Sequence, residues 1–239
     1  MYRNVTQPQT GLGRGVSVPF DAGLRRHMLG IFNAMGVGLI VTGITAFAVA
    51  NTPPLASAIF GTPLKWLAIF APLAFVLLLS FRIEPMSAAS LRMAFVAFSA
   101  VMGVSLASIF LVFTGTSIAR TFFIAATMFL AMSLWGYTTK HDLSKWTTFL
   151  MMGLIGVVIA SVVNLFLGTT TLQLVVSVVG VFVFAALTAW DMQRAKSDYL
   201  AYAGTEHAEK LAIWSALSLY LNVLNLFQLM LTFFGQRDE

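Results

Sequence analysis

Four polar side chains interrupt two otherwise apolar stretches near the C-terminal end of the chain. Asp191 closes a long run that contains no other charged residue, and Asn222, Asn225 and Gln228 lie inside a second such run. Carboxylate and amide side chains are costly in a membrane segment, so they usually face the interior of a helix bundle and mark candidate functional sites. These four residues are therefore the first candidates for a site inside the protein.

Each candidate also has a simpler structural interpretation. Asp191 could pair with Arg194 or with a residue on a neighbouring helix. The amides could form hydrogen bonds between helices, which contribute only about 0.6 kcal/mol on average in membranes. Asn222 and Asn225 are three residues apart and share one helical face, which suits either interpretation. Arg92 either extends to the lipid headgroups or partners an acidic residue in the bundle. Both alternatives stay open at this point.

The composition indicates a membrane protein. The 239 residues are 59% hydrophobic and 10% charged, with a mean hydropathy of +0.87, whereas a soluble domain has about 45–50% apolar and about 25% charged residues. The chain has no cysteine, which excludes disulfides, thiol catalysis and cysteine-based metal sites. Its net charge of +5 is explained below by membrane topology, so we expect no nucleic-acid partner.

The hydropathy pattern predicts an all-α integral membrane bundle of seven spans, because about 20 apolar residues cross a bilayer as a helix. Small residues recur at every fourth position from Ala34 to Ala50, a pattern typical of close helix packing in lipid. The predicted spans are 27–50, 63–81, 88–113, 117–137, 146–167, 172–190 and 214–234. The domain division is then a flexible cytoplasmic tail at 1–26, a transmembrane domain at 27–235 and a short polar tail at 236–239.

Basic residues are distributed unequally between the two ends of this bundle. One side holds Arg3, Arg14, Arg25, Arg26, Arg82, Arg92, Lys140, Lys145, Arg194, Lys196 and Lys210. The other side holds Lys65, Arg120 and Arg237. Cytoplasmic loops carry the excess of Lys and Arg, so the pattern predicts a cytoplasmic N-terminus and an external C-terminus.

The sequence offers little support for an enzyme. It contains no HExxH motif and no GxSG serine, and Asp191 is the single carboxylate at the polar end of a span, whereas an aspartyl protease needs two. The Gly-rich segment 11–15 does not open a phosphate-binding helix. His27, His141 and His207 have no metal-ligand spacing. We therefore expect a protein without enzymatic activity and without a cofactor.

The chain resembles the Bax inhibitor-1 family of seven-helix membrane proteins. The matching stretches are SIFLVFTG at 108–115, GYTTK and DLS within 136–144, TAWDMQ at 188–193 and ALSLYLNVLNLF at 216–227. The resemblance implies a bacterial inner-membrane bundle with the sixth helix at its centre. It also implies a pH-sensitive calcium leak, gated by two aspartates that share a proton, and a link to a membrane-anchored AAA protease.

One position departs from the family pattern. Asp191 matches the aspartate of the sixth helix, whereas Asn222 stands where the aspartate of the seventh helix is usual. Two adjacent carboxylates repel each other when both are ionised, so such a pair can titrate near neutral pH. A carboxylate and an amide lack this repulsion, so the resemblance carries over the fold and leaves pH gating open.

Two functions follow as hypotheses. The first is a passive pathway for cations, with calcium as the expected ion and with Asp191, Asn222, Asn225 and Arg92 along the pathway. Calcium takes six to eight oxygen ligands, so Asp191, as the candidate metal ligand, would need help from the two asparagines, backbone carbonyls and water. The second is a regulator that transports nothing and binds a membrane protease complex through the N-terminal tail. Both hypotheses place the chain in contact with the lipid bilayer.

Overall fold

A computed structural model describes residues 22–82 and 86–236. Seven helices in it are long and apolar enough to cross a membrane. They are α1 (Ala22–Ala50), α2 (Leu64–Arg82), α3 (Ala88–Val112), α4 (Gly115–Thr138), α5 (Thr147–Leu167), α6 (Thr170–Tyr202) and α7 (Glu206–Phe234). A short helix at Pro53–Phe60 joins α1 to α2, and one 3-10 turn at Leu143–Trp146 precedes α5. The predicted class, an all-α membrane bundle with seven spans, is confirmed.

The outer surfaces of these helices carry large apolar side chains. Ile44, Phe123 and Phe182 are 65%, 70% and 72% exposed. A surface covered with such exposed apolar side chains would be unfavourable in water. Within a bilayer, the same side chains contact lipid acyl chains. The chain is therefore an integral membrane protein whose helices contact the lipid bilayer.

Two helix starts differ from the predicted boundaries. α1 begins at Ala22, so residues 22–26 of the expected tail are helical, while residues 1–21 and 237–239 lie outside the described part of the chain. α7 begins at Glu206, before the expected membrane boundary at Trp214, because the Thr205 side chain accepts a hydrogen bond from the Ala208 backbone N–H and caps the helix. Hydropathy alone finds the apolar part of a helix and misses such polar first turns.

The short connecting helix was also missed. It lies between the predicted spans 27–50 and 63–81, and Pro53 and Pro54 occupy its first positions. Proline suits these positions because the first helical residues have no intrahelical partner for an N–H group. The same two residues therefore stop one helix and start the next.

Small residues bring α1, α3 and α7 into close contact. A methyl group added at Gly38 would lie 2.8 Å from the Phe95 ring and 3.2 Å from the Tyr220 ring. One turn further along α1, the Thr42 hydroxyl lies 2.6 Å from the Tyr220 hydroxyl and donates to the Ser99 carbonyl at 2.9 Å. The stripe of small residues predicted on α1 thus contacts two helices at once.

The middle of the bundle is formed by α6 and α7 together. In the apolar segment of α7, 56% of the residues are buried, compared with 44% in α6. The two helices pack along each other, and both also contact α1 and α4. The structure therefore does not show a bundle with the sixth helix alone at its centre.

Candidate functional site

Asp191 of α6 and Asn222 of α7 are joined by a direct hydrogen bond inside the bundle. The Asn222 Nδ2 group donates to Asp191 Oδ2 at 2.7 Å, and the two residues are only 7% and 5% exposed. The helices run antiparallel on either side of the turn at 203–205, and this arrangement brings the two residues to the same level. The structure therefore places Asp191 and Asn222 in direct contact.

The alternative partner that the sequence suggested for Asp191 is engaged elsewhere. Arg194 Nε lies 3.7 Å from Asp198 Oδ2, and its guanidinium lies 5.4 Å from the centre of the Trp190 ring. Burying a carboxylate is strongly unfavourable unless hydrogen bonds or opposite charges compensate. The direct hydrogen bond to Asp191 from another helix is donated by Asn222, whose amide carries no proton that titrates in the physiological range.

Gln193 connects α6 to the loop that follows α4. Its Oε1 atom accepts from the Leu143 backbone N–H at 2.8 Å, and its Nε2 group donates to the His141 carbonyl at 2.8 Å. One turn further, Lys196 Nζ donates to the Tyr137 carbonyl at 3.2 Å. Two successive turns of α6 thus bond the end of α4 and the connection that follows it, just beyond Asp191.

Gly136 explains how α4 and α6 come together at this level. A methyl group added there would collide with the backbone carbonyl of Ala189, so the absence of a side chain lets the two helices touch. Gly136 and Gln193 belong to the GYTTK and TAWDMQ stretches, which are therefore two sides of one contact. Neither Gly136 nor Gln193 was predicted as a site residue. The presence of both stretches in one sequence was the signal that could have identified them.

The other predicted site residues lie apart from this pair. Arg92 forms an ion pair with Glu209 at 3.5 Å, and the two side chains are 63% and 60% exposed, so the pair contributes at most about 1 kcal/mol. Asn225 donates to the Leu221 carbonyl of its own helix at 2.8 Å. The structure therefore brings together Asp191 and Asn222 and leaves Arg92 and Asn225 outside their contact.

A cation at this site would need ligands of several kinds. In residues 22–82 and 86–236, no three His, Asp or Glu side chains converge on one point. Asp191 would supply one carboxylate, and the Asn222 carbonyl, backbone carbonyls and water would have to supply the rest, since calcium takes six to eight oxygens. The role of Asp191 as a metal ligand stays a prediction.

Known proteins resemble this chain over nearly its whole length. Residues 24–239 match the family described as "Inhibitor of apoptosis-promoting Bax1". Protein RP147 of Rickettsia prowazekii is 41% identical, covering 92% of this chain and 93% of its own length. A Caulobacter vibrioides protein is also 41% identical, with 92% of both chains covered. Inner membrane protein YbhL of Escherichia coli K12 is 42% identical over 90% of this chain and 94% of its own.

The matched region contains the Asp191–Asn222 contact and all seven spans except the first two residues of α1. A match of this extent, with relatives above 40% identity, goes beyond a similarity of hydropathy patterns. The chain is therefore a member of the Bax inhibitor-1 family of membrane proteins.

Proposed function

We propose that the protein is a passive cation pathway through a bacterial inner membrane, with calcium as the expected ion and no enzymatic activity. The observation that carries this proposal is the buried hydrogen bond between Asp191 and Asn222. Charged groups inside a membrane bundle are rare and are typical of ion pathways. The name of the Escherichia coli relative supports the inner membrane as the location.

The pair suits a gate because it joins two helices at the middle of the bundle. Breaking the 2.7 Å contact would free one carboxylate and one amide, both of which supply oxygen ligands that calcium accepts. Forming it keeps α6 and α7 together. Because the Asn222 amide cannot take up a proton near neutral pH, the closed state does not require a shared proton, so we propose weak pH dependence between pH 5.5 and 8.

Calcium flux from proteoliposomes tests the proposal. We expect Asp191→Asn, which keeps the shape and removes the charge, to reduce the flux at least about tenfold, the factor that corresponds to 1.4 kcal/mol in a barrier. Asp198→Asn is the matched control, because Asp198 lies two turns along the same helix and pairs with Arg194; it should leave the flux unchanged.

The outcome also separates the two functions considered from the sequence. Equal flux from the natural protein and Asp191→Asn would contradict the proposed pathway. No flux above that of protein-free liposomes would favour the alternative, a regulator of a membrane protease that transports nothing. Co-purification from native membranes, with and without residues 1–20, would then identify the binding segment.

A further inference from the structure

A polar pocket lies at the other end of the α6–α7 seam, far from the turn at 203–205. Its volume is about 550 Å³ and it is formed by α5, α6, α7 and the end of α3. Its polar lining consists of Ser161, Asn164, Gln173, Ser177, Gln228 and Thr232. These are neutral amides and hydroxyls, so the pocket offers oxygen ligands and N–H donors without a charge.

Part of this lining is already used by the protein itself. Asn164 Oδ1 accepts from both the backbone N–H and the hydroxyl of Thr169 at 3.1 Å. Ser161 donates to the Val157 carbonyl at 2.7 Å. By contrast, the side-chain amides of Gln173 and Gln228 form no hydrogen bond with any residue in the described part of the chain. Unpaired amides are unfavourable in lipid, so water or a ligand must satisfy them.

The pocket and the Asp191–Asn222 contact lie on the same face of α6. Residues of this face recur at spacings of three and four: Gln173, Ser177, Gly180, Phe184, Thr188 and Asp191. Side chains at these spacings point to one side of a helix. Ser177 and Asp191 are 14 positions apart, or about 21 Å along the axis at 1.5 Å per residue. One helix face therefore links the pocket to the buried pair.

Apolar side chains close this face between its two polar ends. A methyl group added at Gly180 would lie 2.7 Å from Leu229 Cδ1 and 3.4 Å from Val157 Cγ1, so Leu229 rests directly on the glycine. One turn further, Phe184 is 5% exposed. Apolar constrictions of this kind stop ions because water cannot wet them. Leu229 also lines the pocket, so its contact with Gly180 lies at the deep end of the pocket, one turn beyond Ser177.

We propose that this pocket is the outer vestibule of the cation pathway, in which the Gln173 and Gln228 carbonyl oxygens hold a partly hydrated metal cation above a seal formed by Leu229 and Gly180. The inference rests on the function proposed above. The vestibule supplies neutral oxygen ligands that replace part of the cation's hydration shell. The Asp191 carboxylate lies beyond the seal. Cations therefore meet neutral ligands first and a charged ligand second.

Thiol labelling tests the vestibule without measuring flux, because the natural chain has no cysteine. Gln228→Cys lines the pocket, whereas Val179→Cys lies at the same depth, next to Gly180, with a side chain that is 47% exposed toward lipid. A water-soluble methanethiosulfonate reagent reacts with the thiolate, so in proteoliposomes Gln228→Cys should label at least about tenfold faster than Val179→Cys. Similar labelling rates would overturn the proposal, whatever the flux.

Calcium protection tests the ligand. Thr232→Cys changes one lining hydroxyl of the pocket and leaves both glutamines in place. We expect millimolar calcium chloride to slow its labelling several-fold, and we expect Gln173→Leu combined with Gln228→Leu to abolish that protection. Equal labelling with and without calcium would overturn cation binding in the vestibule.

Flux separates this inference from the proposed function. Leu229→Ala should raise calcium flux by widening the seal, while Leu217→Ala, at a buried leucine of α7 outside the pocket lining, serves as the control for loss of packing. If the pocket is accessible and protected by calcium but Asp191→Asn leaves the flux unchanged, the gate is refuted and the vestibule is retained. If the flux depends on Asp191 but Gln228→Cys is not labelled, the vestibule is refuted and the gate is retained.

Discussion

At the scale of single residues, Asn222 stands where the family resemblance implies an aspartate. A carboxylate and an amide can stay bonded without exchanging a proton, as the 2.7 Å contact with Asp191 shows. Two carboxylates at that distance can share a proton when one is protonated and repel each other when both are ionised. The side chain at position 222 therefore decides whether one carboxyl group or two take part in the contact.

Asn222→Asp should introduce a pH response stronger than the weak one proposed for the natural chain. At low pH the two carboxyl groups share a proton and hold α6 against α7, whereas at higher pH both ionise and the helices separate. We expect the thermal midpoint of the purified variant to fall relative to the natural protein as pH rises from 5 to 8. Asn225→Asp is the control, since Asn225 bonds only within its own helix; equal profiles for all three proteins would contradict this account.

At the scale of helices, the contact between α4 and α6 depends on the missing side chain of Gly136. Gly136→Ala places a methyl group against the Ala189 backbone, which cannot rotate away as a side chain could. We expect a loss of about 1–3 kcal/mol, typical of overpacking. Gly156→Ala is the matched control because nothing lies within 4 Å of that position, and alanine is the better helix former.

Thermal unfolding in detergent compares the two glycine variants directly. The midpoint of Gly136→Ala should fall, whereas that of Gly156→Ala should stay level or rise. A similar change in both variants would mean that the close approach of α4 and α6 is not required for stability.

Gln193 gives a second prediction about helices, because both ends of its amide bond the α4–α5 loop. Gln193→Leu leaves the Leu143 N–H without its acceptor and releases the loop from α6. Hydrogen exchange at that N–H should become faster by at least about tenfold, since protection follows local opening. Ser197→Ala removes a hydroxyl that bonds only the Gln193 carbonyl and should leave the exchange rate unchanged; a similar rate in Gln193→Leu would show that the loop is held by other contacts.

At the scale of the whole molecule, charge asymmetry predicts the orientation in the membrane. A cysteine at His141, in the connection that follows α4, should react with an impermeant thiol reagent only after spheroplasts are permeabilised. A cysteine at Thr170, at the start of α6, should react in intact spheroplasts, because positive loops stay in the cytoplasm. The reverse pattern would place the N-terminus outside and would contradict the predicted topology.

The sequence predicted the parts of this fold that depend on hydropathy and periodicity. Runs of apolar residues are long enough to identify each span, and the small residues around Gly38 do pack as their spacing indicated. The contact between Asp191 and Asn222 followed from polar residues in apolar runs together with a family resemblance. These features are local, or they repeat along one helix.

The parts that were missed depend on contacts between distant segments or on backbone capping. The hydrogen bonds from Gln193 to the α4–α5 loop join residues about 50 positions apart, and no periodic pattern in the sequence predicts them. For Arg92, contact with the lipid headgroups and an acidic partner were both left open, and it pairs with exposed Glu209. Only the tertiary arrangement distinguishes a charge at the membrane surface from one inside the bundle.

The length of α6 has a mechanical consequence. Its 33 residues form one uninterrupted rod of about 50 Å, which exceeds the roughly 30 Å hydrocarbon layer. The buried Asp191 and Gln193, whose amide bonds the α4–α5 loop, lie two positions apart on this same helix. Any tilt that separates α6 from α7 must therefore also displace the α4–α5 loop. A fluorophore on that loop would report the separation of α6 and α7 inside the bundle while it takes place.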